Sequence, residues 1–256
     1  MPYGRAIRYA FAALAAIGSL SAFTPVHASE RLAFRVDWGP LSVAQGQLNI
    51  RRDNGAILMN GAVTAAGLGA LLSRVTVRNA LAYRADGSRQ VRIEIIRSGE
   101  TVRREMAWSS DGIPKILAAG GEDDDPLTPI APEEIRNTVD PFFPILDMME
   151  RLDRGAGCVQ TYRVYDGTRR YDLRFDDLGS AELDGDRRWT YAGPARRCSM
   201  HFLPIGGFEV DREFTENDID RRIWFARVEE RHVPVRFAVD WALGTAIARI
   251  DLDARR

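Results

Sequence analysis

The sequence predicts an all-β, mainly antiparallel fold: a strongly curved sheet or an incomplete β-barrel with one or two short helices. Two observations lead to this prediction. Apolar and polar residues alternate in many short stretches, the period-two pattern of strands with one buried face. Turn dipeptides such as Asn-Gly and Asp-Gly separate these stretches, and the gaps are too short for the helices that parallel strands need between them.

The first half of the chain is predicted to be a meander of strands. Alternation begins with Leu32 and Phe34, Gly46 suggests a bulge or bend, and Asn54-Gly55 predicts a hairpin. Leucines at helical spacing predict one short helix or crossover in residues 65–73. The predicted strands of this half cover residues 31–37, 41–50, 57–63, 76–84, 90–97 and 101–108.

Residues 118–132 break the strand pattern. Two glycines lead into the acidic run 122–125, and prolines follow at several positions. Such a composition buries little apolar area, so we expect an exposed acidic loop.

One clear helix is predicted after this loop. Asp140 suits an N-cap, Pro141 suits the first turn, and the apolar stripe runs from Ile145 to Leu152. The helix is expected from near Pro141 to near Leu152. Strands then return over residues 158–165, 169–175, 188–200, 221–230, 234–241 and 245–252.

The N-terminus has the three parts of a secretory signal peptide. Arg5 and Arg8 precede an apolar run over residues 9–23, and Val26-His27-Ala28 matches a signal-peptidase site. We therefore expect residues 1–28 to be removed after Ala28, export to the periplasm by the general secretory route, and a single β-rich domain over residues 29–256. Nothing in that domain is long and apolar enough to span a membrane after cleavage.

Charge and cysteine content narrow the function classes. A net charge of −1 provides no global field that would attract nucleic acid. Cys158 and Cys198 are expected to form a disulfide in an oxidising compartment. A free reactive thiol or a metal pair is the alternative, but there is no Cys-x-x-Cys motif and no histidine at ligand spacing beside Cys158.

Four stretches occur together in this chain: Phe34-Arg35-Val36-Asp37-Trp38-Gly39 followed by Gly46, Asp140-Pro141-Phe142-Phe143, Val164-Tyr165-Asp166-Gly167, and Ile223-Trp224-Phe225 followed by Pro234-Val235-Arg236. Together they resemble a family of bacterial periplasmic proteins catalogued as domain of unknown function 3108. The resemblance covers nearly all of the chain after the signal peptide. It implies a β-rich envelope protein and transfers no catalytic residue.

No catalytic, cofactor or metal site is predicted. The Gly-x-Ser-x-Gly motif of a nucleophile elbow is absent. Ser199 and His201 share one face of a predicted strand, yet neighbours on one strand seldom reach the geometry of a catalytic pair. His232 is expected in a solvated hairpin turn. The acidic run over residues 211–220 lacks the glycine and terminal glutamate of an EF-hand loop, so a solvated turn is preferred to a calcium site.

Arginine pairs recur along the chain, and strand geometry places one member of each pair on either face. Surface ion pairs are the expected role; binding of an anionic headgroup or glycan by clustered inner members is the alternative. The pairs are Arg51-Arg52, Arg103-Arg104, Arg169-Arg170, Arg187-Arg188, Arg196-Arg197 and Arg221-Arg222.

The sequence therefore favours a non-enzymatic periplasmic β protein that binds an apolar or amphiphilic envelope component, such as a lipid, or a partner protein of the envelope. A structural or interaction role in envelope integrity without a small ligand is the second hypothesis, and a hydrolase is the third. The ligand hypothesis requires a concave face lined by apolar residues and free of charge, with a continuous cleft of at least about 300 Å³. The rival hypothesis fills that face with the tryptophans and the predicted helix.

Overall fold

The computed structural model describes residues 28–72, 74–97, 100–109, 111–120, 127–209, 219–242 and 244–252. The predicted signal peptide and the acidic runs at 122–125 and 211–218 lie outside these ranges. In the first half the elements are β1 (Ala28–Trp38), β2 (Leu41–Asp53), β3 (Ala56–Ala65), α1 (Leu68–Leu72), β4 (Val75–Tyr83), β5 (Arg89–Arg97), β6 (Glu100–Trp108) and β7 (Pro114–Ala119). In the second half they are α2 (Phe143–Asp153), β8 (Gln160–Tyr165), β9 (Arg170–Asp184), β10 (Ala192–Gly206), β11 (Asp220–Val228), β12 (Arg231–Trp241) and β13 (Gly244–Ile250).

All described strands belong to one antiparallel sheet of 13 strands, in the order β7-β6-β5-β4-β3-β2-β1-β13-β12-β11-β10-β9-β8. Each half of the chain is a meander in which strands pair with their sequence neighbours. The two meanders are joined where β1 pairs with β13, with Phe34 opposite Ile250 and Val36 opposite Ala248. The edge strands β7 and β8 are consecutive in the chain, and the segment between them carries α2.

The sheet wraps around α2, so the face that contacts this helix is concave. The Phe143 ring packs edge-on against Tyr83 of β4 and Tyr162 of β8, with centroids 5.9 and 6.2 Å apart. At the other end of the helix, Asp153 Oδ1 lies 2.9 Å from His232 Nδ1 of β12. Because strands from both halves contact one helix, the curved, unclosed all-β fold predicted from the sequence is confirmed.

The segment before α2 spans the gap between the two sheet edges. Val139 N donates a hydrogen bond to Arg163 O on β8 at 2.7 Å, and Asn137 N donates to Gly112 O in the turn between β6 and β7 at 2.9 Å. Backbone hydrogen bonds at both ends of this short segment therefore bring the edges together without direct pairing.

The start of α2 differs by two residues from the prediction. Asp140 Oδ1 accepts hydrogen bonds from the backbone N–H groups of Phe142 and Phe143 at 2.9 and 3.1 Å, and from the hydroxyl of Tyr83 at 2.8 Å. The residues between Asp140 and Phe143 form a turn rather than helix. Burial raises the pKa of Asp140, and the Tyr83 hydrogen bond opposes that rise.

Several strand boundaries also differ from the prediction. β7 was not predicted, and its last two residues, Ala118 and Ala119, had been placed in the acidic loop. The later part of that loop is docked rather than free, because Thr128 N donates to Phe208 O at 2.7 Å. β9 continues to Asp184, beyond its predicted end at Phe175, and Asp177 within this extension forms an ion pair with Arg196 of β10. Residues 188–190, predicted as strand, are turns and bends.

Cys158 and Cys198 are joined by a disulfide in the structure, with Cα atoms 5.9 Å apart. Both residues are fully buried. The bond ties the segment that follows α2 to β10, and thereby attaches the helix covalently to the second meander.

None of the helices in the described part of the chain is long and apolar enough to cross a membrane.

Candidate ligand-binding site

The concave face of the first meander consists of three side-chain rows that run across the strands. The register places residues of successive strands directly opposite one another, and residues two apart on a strand share a face. The inner row is Ile50, Met59, Leu81, Val91 and Met106; the middle row is Leu32, Leu48, Gly61, Asn79, Ile93 and Arg104; the outer row is Ile250, Phe34, Gly46, Val63, Val77, Ile95 and Val102.

The inner row belongs to the core and leaves no space for a ligand. Its side chains are between 0 and 4% exposed. The apolar side of α2, including Met148 and Met149, is buried in the same core. One end of the concave face is therefore filled, as the rival hypothesis expected.

Apart from Ile250, which is buried, the outer row is only half-buried, and it is apolar along its whole length. Val63, Val77, Ile95 and Val102 all have partly exposed side chains. Seven strands contribute to this row, from β13 to β6, and no charged residue interrupts it. This row is the part of the concave face that remains accessible to an apolar molecule.

An apolar cavity of about 180 Å³ lies at one end of the outer row, between β1, β2, β12 and β13. The concave-face side chains that line it are Leu32, Phe34, Leu48, Val235, Phe237, Ala248 and Ile250. Its volume is below the cleft of about 300 Å³ that the ligand hypothesis required. The cavity therefore admits a narrow chain rather than a compact ligand of several rings or chains.

Gly46 makes room for an aromatic side chain. The bulge or bend that the sequence suggested does not occur at this glycine. A Cβ at Gly46 would overlap Cζ of Phe34, because the Phe34 ring covers the glycine from the neighbouring strand. The shift in the β1–β2 register occurs instead between Val36 and Asp37. The Phe34 ring thus forms part of the cavity wall and of the outer row at once.

Two polar side chains interrupt the middle row, so the concave face does not meet the requirement of the ligand hypothesis that it be free of charge. Asn79 and Arg104 lie in this row with Ile93 between them. Asn79 Oδ1 is buried and has no hydrogen-bond partner among the residues described. Neither Asn79 nor Arg104 was predicted from the sequence to lie in a site. The only signal was the Arg103-Arg104 pair, since neighbours on a strand put one guanidinium on each face.

The opposite face of the same strands is polar. Two troughs of about 380 and 330 Å³ cross it and share Gln47 and Ala62. Amide side chains line them, including Gln45, Asn49 and Asn60. These troughs are larger than the concave cavity, but their polar walls do not suit an apolar ligand.

Ser199 and His201 meet, but not in the geometry of a catalytic triad. His201 Nε2 lies 3.1 Å from Ser199 Oγ and 3.1 Å from Asp176 Oδ2. In a catalytic triad the serine hydroxyl and the carboxylate contact different nitrogens of the histidine ring. One nitrogen accepts the proton of the serine hydroxyl, and the N–H on the other donates to the carboxylate, which orients the ring. Here both partners use the same nitrogen, and the arrangement does not support hydrolase chemistry.

The prediction that His232 lies in a solvated turn is wrong. His232 lies on β12, and its backbone N–H and ring Nδ1 are 2.7 and 2.9 Å from Asp153 Oδ1. Arg231 Nε lies 3.0 Å from Asp153 Oδ2. Burial tends to raise the pKa of Asp153, but these donors outweigh it and the pKa is lowered. Both residues hold the end of α2 against the sheet.

Most arginine pairs supply ion pairs, in line with the expected role. Arg52 pairs with Glu30, Arg103 with Glu105, Arg170 with Asp172, Arg196 with Asp177 and Arg222 with Asp240. Arg170 is nearly inaccessible, with 2% of its side chain exposed. The inner members do not gather into one anion site. Among described residues, no group of three or more histidine, cysteine, aspartate or glutamate side chains forms a metal site.

The tryptophans only partly fill the concave face. Trp108 is 1% exposed and lies on this face near α2, where its Nε1 donates to Thr138 Oγ1 at 3.4 Å. Trp224 is buried, and the guanidinium groups of Arg222 and Arg236 each lie over its ring, 5.8 and 5.6 Å from the ring centroid. Trp38 is 37% exposed at the turn between β1 and β2. Of these three, Trp108 fills part of the concave face near α2 and leaves the outer row exposed.

Comparison with known proteins supports the fold and names no enzymatic family. The chain is similar to the crystal structure of a beta-barrel-like protein of domain of unknown function DUF1849 from Brucella abortus, with 10% sequence identity and a TM-score of 0.50. The similarity covers 86% of this chain and 94% of that one. At this identity the likeness concerns the fold alone. No curated protein matches the chain.

One family model matches almost the whole of the described sheet, from residue 33 to residue 253. The four stretches that resembled this family all lie within that range. The chain belongs to the family described as protein of unknown function DUF3108.

Proposed function

We propose that this protein is a non-enzymatic binding protein of the bacterial periplasm, and that it holds an apolar or amphiphilic envelope molecule on the concave face of its sheet. The observation that carries the proposal is the half-buried apolar outer row, which crosses seven strands and ends at the apolar cavity beside Phe34. Soluble proteins rarely leave a long contiguous apolar surface open unless something binds to it.

The size of the cavity sets the kind of ligand. Its volume of about 180 Å³ is too small for a whole lipid. A single chain would enter the cavity with one end and lie along the outer row with the remainder. Such a ligand would be covered on one side by the sheet, and it would stay open to exchange with a membrane or a partner protein on the other.

The proposed compartment is supported by the sequence features of export. Arg5, Arg8 and Val26-His27-Ala28 match the parts of a secretory signal. The pairing of Cys158 and Cys198 fits an oxidising compartment, where such bonds persist. Alkaline phosphatase fusion to residues 1–28, with cell fractionation, tests this part of the proposal.

Ligand binding is tested with protein stripped of bound lipid and titrated with an environment-sensitive apolar dye. The variant Ala248→Phe fills the cavity from its wall, and Ala80→Phe places the same ring on the opposite, exposed face. We expect the dye to bind the wild type and Ala80→Phe alike, and to lose affinity for Ala248→Phe. Absence of dye binding to the wild type, or equal binding to both variants, would contradict the proposal. Thermal melts of both variants control for folding.

A partner-binding role without a small ligand is the second candidate, and one observation favours it. Trp38, Leu41 and Leu68 are 37, 41 and 45% exposed, and α1, which carries Leu68, packs beside the start of β2. They form an apolar rim at the end of the sheet remote from α2. Native mass spectrometry of the protein from its producing cells separates the candidates: a co-purifying small molecule supports the first, and an apo mass with a bound protein supports the second.

A further inference from the structure

We infer that the ligand is an anionic amphiphile with a single chain, that Arg104 binds its charged group, and that its chain follows the outer row toward Phe34. This inference rests on the proposed function and adds the chemical class of the ligand and its orientation.

Arg104 differs from its neighbour Arg103 in its surroundings. Arg103 lies on the opposite face, where its Nη2 is 2.6 Å from Glu105 Oε2. Arg104 is half-buried on the concave face, directly opposite Ile93 of β5 and Ala119 of β7. Within the described ranges, no carboxylate lies within 4.0 Å of its guanidinium nitrogens.

A charge in this position favours an anionic ligand. The arginine guanidinium stays charged at any physiological pH, and partial burial beside apolar side chains removes water from it without supplying a counter-charge. A carboxylate or phosphate meets this need, since both accept bidentate hydrogen bonds from arginine.

Asn79 supplies a second polar group in the same row. Its amide lies two strands from Arg104 with Ile93 between them, and its buried Oδ1 has no hydrogen-bond partner among the described residues. A side-chain amide carries both a donor and an acceptor, so it suits a headgroup that presents oxygen atoms. The polar end of the ligand is therefore placed on the middle row, and the apolar end on the outer row.

The outer row is long enough to hold the hydrocarbon chain of the ligand. From Val102 on β6 to Phe34 on β1, the outer row crosses five inter-strand steps. At a spacing of about 4.8 Å per step the path measures roughly 24 Å along the sheet. This is comparable with an extended long-chain fatty acid, whose end would then reach the cavity beside Phe34. A headgroup at the Phe34 end would instead meet walls that are almost entirely apolar.

The experiment compares three probes with the same chain and different head groups: hexadecanoate, hexadecyl phosphate and uncharged 1-hexadecanol. Each displaces the apolar dye from lipid-stripped protein. We expect an anionic probe to bind the wild type more tightly than the alcohol, and Arg104→Gln to weaken that probe by roughly tenfold or more. Binding of the alcohol should not change. Arg103→Gln is the matched control, because it removes the same charge from the opposite face, and it should behave as the wild type.

The outcomes separate the inference from the proposed function. If no probe binds the wild type, the proposed function fails. If all three bind equally, or if Arg104→Gln and Arg103→Gln behave alike, the anionic headgroup site is refuted while ligand binding stands. The anion that binds more tightly shows whether carboxylate or phosphate is preferred. Arg104→Lys keeps the positive charge, so it should retain most of the preference for an anion even if Arg104→Gln proves unstable.

Discussion

The disulfide between Cys158 and Cys198 provides the sharpest quantitative test of how this fold is stabilised. Both cysteines are fully buried, and the bond joins the segment after α2 to β10. We consider the double variant Cys158→Ala/Cys198→Ala, which removes the bond and leaves no free thiol. The variant keeps the strand register of β10, because Cys198 contributes to the ladder through its backbone.

The magnitude follows from the length of chain that the bond closes. The two cysteines are separated by 40 residues. For a loop of that size, the chain-entropy model predicts a loss of about 4 kcal/mol in the free energy of unfolding. Small and medium-sized domains have total stabilities of roughly 5–15 kcal/mol, so this loss would be a large fraction of the whole. Removing two buried sulfur atoms adds to the loss, because the core cannot fully collapse into the space.

Urea denaturation of the oxidised wild type and the double variant measures the difference. We expect a lower midpoint for the variant and a steeper dependence on urea, since the unfolded chain without the bond exposes more surface. Reduced wild type serves as the control and should approach the variant. Two reactive thiols in the unreduced, denatured wild type would refute the bond itself. A loss smaller than about 1 kcal/mol would refute the argument that it restricts the unfolded chain.

Three further predictions concern single side chains. Tyr83→Phe removes the hydroxyl that donates to buried Asp140 at 2.8 Å, and should lower the free energy of unfolding by about 1.5–3 kcal/mol in urea titrations. Hydrogen bonds from neighbouring arginines lower the pKa of Glu105 to about 2. The contribution of Glu105 to stability is therefore present at neutral pH and is lost as the pH falls below about 4.5 towards 2. The variant Glu105→Gln should flatten this pH dependence of the urea midpoint. Gly46→Ala puts a methyl group where the Phe34 ring lies, and should cost about 1–3 kcal/mol in a thermal melt or urea titration.

Each of these has a control or a contradicting result. Tyr191→Phe removes a hydroxyl that bonds Pro194 O on the exposed surface, and it should change stability by much less than Tyr83→Phe. Parallel pH profiles of the wild type and Glu105→Gln would show that Glu105 is not responsible for the loss. Unchanged stability in Gly46→Ala would mean that the Phe34 ring moves away at no cost, and the cavity wall would then be mobile.

Local patterns in the sequence were sufficient to predict the class of fold. Alternation along a strand depends only on having one buried face, and Asn54-Gly55 forms the predicted hairpin because both residues adopt positive φ angles, 46° and 79°. The helix after Asp140 was also predicted, since its cap and apolar stripe lie within a few turns of chain. The neighbour-to-neighbour strand pairing in each half follows from the same short-range signals.

The sequence alone did not reveal where charged and polar residues would be buried. His232 and Asp177 resemble surface residues in sequence, yet each is partly buried and is held by a partner on another element, Asp153 on α2 and Arg196 on β10. Hydrogen bonds and ion pairs of this kind offset the cost of burial, and they exist only once the strands have been assembled.

The concave face itself was decided by the tertiary structure. Pairing of β1 with β13 brings Phe34 beside Ile250, across almost the whole length of the chain, and no local pattern encodes such a contact. Whether a half-buried row is core or binding surface depends on what covers it, and α2 covers the inner row while the outer row stays open. From the sequence, an apolar concave face could be expected. The sequence could not show that Arg104 lies on this face without a counter-charge among the described residues. Which charges meet a partner is decided only by the packing of elements that are distant along the chain.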